Sequence, residues 1–364
     1  MRFFSFVFIS IALFAGSASA EPVFKSDTIS SPEGFGKPHG SSMVELENGD
    51  ILATWFSAGK ETDSGARIFG AEWGKKTGAW TKPRVIIPSD YSKSVGNTAL
   101  FKDDDSIIWL FFAAVRVGGW SGSMVDYVTS PDDGKTWSEG ETLVWKLGNL
   151  PRNPPIKIGD HTMLVPLFTD FMYEINMVGS YTARLKYSKG KILEKKIARL
   201  DDYDAIQPTI VKLPDGRILL LARDKSDRFI RRSYSTDNGS SWASGAITDI
   251  PNPGSAISAI FIDEIGATLL AYNHSRKGRN PLSLAVSFDG GQTFRRIVDL
   301  ESKPGDKEAS FSYPVILRTT DGMIHLLWSH DKRATLKHIR FNLDWLIERI
   351  KKSAGYTPEK INKP

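Results

Sequence analysis

The chain has 364 residues, 41% of them hydrophobic and 24% charged, with a formal net charge of +5 and no cysteine. That composition is globular, and it excludes disulfides, thiolate metal sites and a cysteine nucleophile. The mild positive surplus is spread along the chain without a basic block, so nothing marks a nucleic-acid binder, although anionic partners suit it.

The chain opens with Met1-Arg2, the apolar run Phe3 to Phe14, and Ala18-Ser19-Ala20 before Glu21. These are the charge, h-region and small-residue cleavage site of a secretory signal, so residues 1–20 are expected to be removed. The run is shorter than the roughly 20 residues a membrane span needs. The expected location is outside the cytoplasm, periplasmic or secreted from a bacterium, and the mature charge would be +4 after loss of Arg2.

From residue 42 onward one unit repeats: an apolar run, a polar turn and a second apolar run. It is first seen from Ser42 through Asn48-Gly49 into Ile51 to Phe56. Later turns lie at Asp104-Asp105, Gly159-Asp160, Asp215-Gly216, Ile265-Gly266 and Asp321-Gly322. Steps from Gly49 to Asp105, Asp160, Gly216, Gly266 and Gly322 are 56, 55, 56, 50 and 56 residues. Six repeats of about that length, with continuously apolar hairpins and no linker, predict an all-β chain: one closed six-bladed β-propeller of four-stranded antiparallel blades over residues 21–341. Closure also removes the exposed edges an open sheet of this size would carry. Pro22 to Lys25 are expected to complete the blade containing His338 to Phe341. Over residues 342–364, Asn342 is expected to cap a short helix with Leu343, Leu346, Ile347 and Ile350 on one face, followed by a loose tail.

A second repeat has the pattern S-x-D-x-G-x-[ST]-[WF], at Ser130 to Trp137, Ser235 to Trp242 and Ser287 to Phe294. The aspartate can accept bonds from its own turn, glycine supplies positive φ, and the aromatic plugs the hairpin into a core. The closing aromatic comes 26 to 32 residues behind each hairpin turn, between the outer strands. Degenerate copies end at Trp80 and lie near Ser188-Lys189-Gly190.

These boxes resemble the Asp-boxes (BNR repeats) of the sialidase, or neuraminidase, superfamily, and the resemblance covers nearly all of the chain after residue 20. Because Asp-boxes occur in other propellers too, they speak for fold, and reaction must be argued from the channel mouth. Residues opening each innermost strand, and those leaving its partner, converge there. The opening positions hold His39 and Ser41, Asn97, Arg152 and Asn153, Gln207 and Tyr313. The exit positions hold Glu61, Asp63 and Arg67, then Arg223, then Asn273, His274 and Arg279, and His330.

The resemblance implies a substrate carboxylate held by three arginines, a tyrosine nucleophile helped by a glutamate, and an aspartate as general acid and base. Arg223 sits like the second arginine, Arg279 like the third with Arg276 as competitor, and Tyr313 like the nucleophile. Asp63 matches the acid and base, with Glu61 as rival. Two positions depart from the pattern: the first arginine is His39, whose imidazole offers one donor and partial charge, and the glutamate is Gln207, which cannot deprotonate a phenol. His39, His274 and His330 have no close metal-ligand spacing, so no metal or other cofactor is expected. The reading is an exo-acting glycoside hydrolase on a terminal anionic sugar, sialic acid or another ulosonic acid such as 3-deoxy-octulosonate. Its alternatives are a carbohydrate-binding propeller without turnover and a uronate lyase.

Overall fold

The computed structural model describes residues 21–170, 179–226 and 229–354. The expected signal sequence, and the tail from residue 355, lie outside the described residues. Six antiparallel sheets follow one another along the chain and close into a six-bladed propeller with, among the described residues, one α-helix, Leu343–Lys352. No helix among the described residues is long and apolar enough to cross a membrane.

Blade 1 is built from Lys37–Glu45, Ile51–Ala58 and Arg67–Gly74, with Ala79–Trp80 and Arg84–Ile87 both pairing to the third strand. Blade 2 comprises Ser94–Lys102, Ile108–Val115, Ser123–Ser130 and Glu141–Val144. In blade 3 the innermost strand is broken, since Asn149–Pro151 and Ile156–Gly159 both pair with Thr162–Thr169. Prolines at 154 and 155 have no N–H to donate to a ladder, which accounts for the break.

Ile108–Val115 and Ile51–Ala58 are buried along their whole length. A fully buried large apolar side chain contributes about 1.5–3 kcal/mol, against roughly 1–2 kcal/mol to fix one residue's backbone. Continuous apolar runs therefore repay their ordering only with both faces covered, and neighbouring blades cover them. Trp55, Trp109 and Trp328 are wholly enclosed between blades.

The Asp-boxes lie at these joints. Ser130 Oγ donates to Asp132, and the Asp132 carboxylate accepts from the Thr136 backbone N–H at 2.8 Å and its hydroxyl at 2.7 Å; the same pattern recurs at Asp237 and Ser241. Those bonds hold the Asp132 and Asp237 carboxyls down to about 2. The box glycine faces the preceding blade: a Cβ on Gly134 would come 2.8 Å from Leu52, and one on Gly239 2.5 Å from Leu164. Both have φ near +77° (79° and 75°), so glycine is required there twice over.

Closure runs through the N-terminal strand. Phe24–Ile29 pairs antiparallel with Thr335–Phe341, supplying the outer strand of blade 6 as expected from the sequence. Asn342 secures the joint: its Oδ1 accepts from Trp345 N and Val23 N, both at 3.0 Å, and its Nδ2 donates to Glu21 O.

Candidate active site

At the start of the innermost strands the ladder slips in four blades, between His39 and Ser42, Gly96 and Thr98, Ile206 and Thr209, and Ser312 and Val315. Each slip holds one residue at positive φ: Gly40 (61°), Asn97 (28°), Gln207 (53°) and Tyr313 (59°). A bulge residue leaves the alternation of the strand, which re-aims its side chain. Asn97, Gln207 and Tyr313 thereby line one cavity of about 200 Å³ with His39, Glu61, Arg223 and Arg279. Left-handed backbone at three non-glycine residues in one place is strain of the kind found at functional sites.

A larger cavity, about 430 Å³, lies at the other mouth, lined by later residues of the same strands such as Val44, Phe101, Ile210 and Leu317. It is mostly apolar, and the titratable cluster is in the smaller one, so the chemistry belongs there.

Tyr313 is 9% exposed. Its hydroxyl oxygen accepts from Gln207 Nε2 at 3.0 Å and Arg223 Nη1 at 3.4 Å. Arg223 Nη1 also donates to Gln207 Oε1 at 3.1 Å, which fixes the amide with its NH2 toward the phenol. Arg279 and Arg152 lie over the tyrosine ring, 5.4 and 5.0 Å from its centre. Burial pushes the phenol up, but Arg223, Arg279 and the Gln207 bond outweigh it and bring it below the ordinary value. The groups around the oxygen are donors and cations, an arrangement that stabilises phenolate.

Glu61 accepts from the Trp120 indole N–H at 2.9 Å and pairs with Arg333. Burial raises its carboxyl, while Arg333, Trp120 and Arg279 together bring it below the usual carboxylate range. His39 is 2% exposed, with Nδ1 bonded to Ser329 Oγ at 2.7 Å and its ring 4.0 Å from that of Tyr313. Burial first, then Arg333, Arg279, Arg152 and Arg223, drive its pKa well below 6.5, so it stands neutral. This corrects the expectation of a partly charged imidazole in place of the first arginine.

Other candidates lie elsewhere. Asp63 is on the same loop as Glu61 but lines an adjoining depression formed by Gly59 to Asp63. Asn273 is spent on structure, donating to Pro281 O and Phe311 O at 2.9 Å. His274 turns to the Tyr272 hydroxyl at 2.6 Å, and His330 packs on the Phe311 ring beside Glu301. None of these four lines the cavity. Of the competing arginines, Arg279 reaches it, whereas Arg276 stacks on Phe229 at 4.7 Å.

Three participants escaped the sequence reading. Trp120 and Asp170 follow the second strands of blades 2 and 3, where the strand-exit rule that found Arg223 applies equally, and both line the cavity. Asp170 is matched by Lys225 at 2.9 Å. Arg333 sits in a hairpin turn with no motif of its own. Among the described residues no group of acidic or histidine side chains could hold a metal ion.

Residues 49–326 match the family model for the BNR repeat-like domain. No curated protein matches the chain. Among solved structures, a Hadza microbial sialidase superposes with a TM-score of 0.70 at 16% identity, over 84% of this chain and 66% of that one. The intramolecular trans-sialidase from Ruminococcus gnavus gives 0.69 at 15%, over 88% and 98%. The NanB sialidase from Streptococcus pneumoniae gives 0.69 at 14%, over 87% and 70%. This chain thus spans about two thirds of the length of the first, and at such identities the likeness establishes the fold. With a family match across most of the propeller and Asp-boxes at its joints, the chain belongs to the BNR repeat-like family.

Proposed function

We propose that the protein is an exported glycoside hydrolase that releases a terminal sugar acid, a sialic acid or another ulosonic acid such as 3-deoxy-octulosonate, from a glycan. The observation that carries this reading is the Tyr313 hydroxyl, which accepts from Gln207 and Arg223 in a cavity that also holds Arg279 and a carboxylate, Glu61. Sialidase folds support it, and the signal-like N-terminus supports export.

In this reading Arg223 and Arg279 bind the sugar carboxylate by charge-assisted hydrogen bonds. The phenolate of Tyr313 attacks the anomeric carbon as the bond to the leaving oxygen breaks, and Glu61 gives that oxygen its proton. Water then cleaves the tyrosyl–sugar bond while Glu61 takes a proton back, restoring the phenolate. Gln207 serves as a donor that, with Arg223 and Arg279, favours the ionised phenol in place of a neighbouring base.

The test is release of a free sugar acid from glycosides of N-acetylneuraminate, 3-deoxy-octulosonate and uronates by purified protein, with Tyr313→Phe as control. Folded protein that is blank across the panel would sink the reading. If calorimetry then showed tight binding of a free sugar acid, a carbohydrate-binding propeller would stand instead. A uronate lyase is favoured by one observation, that the resting cavity offers a base in Tyr313 while Glu61 is held as carboxylate by Arg333. A product with new ultraviolet absorbance from an unsaturated uronate would select it.

A further inference from the structure

Of the four arginine charges acting on His39, the strongest comes from Arg333. Arg333 lies in the turn between Ile324–His330 and Thr335–Phe341 of blade 6, on the opposite side of a blade boundary from the Glu61 loop of blade 1. Asp331, Lys332 and Arg333 have φ of 44°, 54° and 70°. Three successive non-glycine residues in the left-handed region crowd Cβ against carbonyl oxygen, and such a turn persists only where its surroundings over-determine it. Here Lys332 N donates to Ser310 O at 3.3 Å and the Lys332 ammonium pairs with Glu308 at 2.6 Å. These contacts hold the turn down and leave Arg333 directed onto Glu61.

The charges of the cavity then sort into sets. Arg223 and Arg279 face Tyr313, and Asp170 is matched by Lys225. Glu61 and Arg333 are matched to each other, with Trp120 on the second carboxylate oxygen. Glu61 lines the cavity beside Arg223 and Arg279, and its partner Arg333 lies behind it; such a carboxylate–arginine pair is what an incoming carboxylate can exchange with, since a guanidinium binds any carboxylate with the same fork.

We propose that Arg333 is the third cation of the sugar-acid site, standing in for the arginine missing at position 39, and that Glu61 occupies it until a substrate carboxylate displaces it. This rests on the sugar-acid reading above and extends it to how the site is armed. The groups facing Glu61 are Arg333 and Tyr313 from blade 6, Arg279 from the blade 5 loop, neutral His39 from blade 1 and the Trp120 indole from blade 2. Once a bound carboxylate draws Arg333 and Arg279, the carboxylate of Glu61, whose side chain is 38% exposed, loses its cations and gains a negative neighbour, and both changes favour the protonated form. Glu61 takes up a proton from solvent and becomes the acid that the leaving oxygen needs. Substrate binding itself supplies the general acid.

Calorimetry of free N-acetylneuraminate, 3-deoxy-octulosonate and glucuronate at pH 7, in two buffers of different ionisation enthalpy, measures both affinity and proton uptake. Wild type is expected to bind at least one of them with net proton uptake. Arg333→Gln should lose roughly ten-fold or more in affinity together with the uptake, Arg333→Lys should recover most of the affinity, and Glu61→Gln should bind at least as tightly as wild type with no uptake. Wild-type-like affinity in Arg333→Gln, or uptake that persists in Glu61→Gln, overturns the proposal and leaves the sugar-acid site standing. Binding of none of the three by wild type removes both.

Discussion

Gln207 donates to the Tyr313 hydroxyl across 3.0 Å, and its orientation is set by Arg223 on the carbonyl side of the same amide. At this position a glutamate would add negative charge beside the phenol and keep its proton on, whereas the amide adds a donor. The shift is visible against other tyrosines: burial pushes Tyr91, Tyr127, Tyr181, Tyr187 and Tyr272 up, while Tyr313 is brought down.

A spectroscopic titration follows. Ultraviolet absorbance should show one phenol ionising below 10, absent in Tyr313→Phe and moved upward in Gln207→Glu. Activity on the sugar-acid panel should fall by about 10²-fold or more in Tyr313→Phe. A titration in which Tyr313→Phe removes no low-lying ionisation would show that the arginines do not act on this phenol.

Acid sensitivity should come from buried neutral histidines. His325 Nδ1 and His338 Nε2 are 3.0 Å apart between Trp73 and Trp80, and burial lowers His325 to about 3; His338 and His39 are lowered for the same leading reason. Their folded pKa values lie below the unfolded one, so the unfolded chain binds more protons as pH falls below 6.5. The stability these groups contribute is present above about 6.5 and is lost on acidification toward 3, each costing up to about 1.4 kcal/mol per pH unit. Denaturant unfolding should show lower stability at pH 5 than at pH 6, by about 1 kcal/mol from His325 alone, and His325→Gln should make the slope shallower. Sugar-acid affinity, by contrast, should carry no inflection near 6.5 from His39.

Gly239→Ala tests the joint between blades 3 and 4. The new methyl would stand 2.5 Å from Leu164 at a φ of 75°, so overpacking and backbone strain add. A loss of about 2–4 kcal/mol is expected. Gly216→Ala, with φ 86° but no atom within 4 Å of the new Cβ, isolates the backbone share and should cost less. Equal losses would deny the Asp-box glycine its packing role.

Asn342→Ala removes a helix cap and the tie to the closing strand in one change. The expected cost is about 1–2 kcal/mol, or roughly 1–2 °C in Tm per kcal/mol for a chain of this size. A melt unchanged within a degree would show that the strand Phe24–Ile29 is held by its ladder with Thr335–Phe341 alone.

The sequence by itself determined the propeller. Six apolar hairpins at a near-constant period leave few ways to cover both faces of each inner strand, and Ser130 to Trp137 and its two copies carry their turn chemistry within eight residues. It also brought Tyr313, Gln207, Arg223, Arg279, Asn97, His39 and Glu61 to one cavity, because strand-opening and strand-exit positions in a propeller share a mouth. Which way each side chain turns was decided only in three dimensions. Asn97, Gln207 and Tyr313 depend on a slip in the ladder and a left-handed backbone, Asn273 beside its strand end is spent on carbonyls, and Asp63, two residues from Glu61, faces another depression. The charge states were decided there too: His39 is neutral because it is enclosed among arginines, and Glu61 is an anion because Arg333 crosses from another blade to meet it. Periodicity is local and survives in one dimension, whereas burial and electrostatic pairing depend on residues 272 positions apart, as Glu61 and Arg333 are.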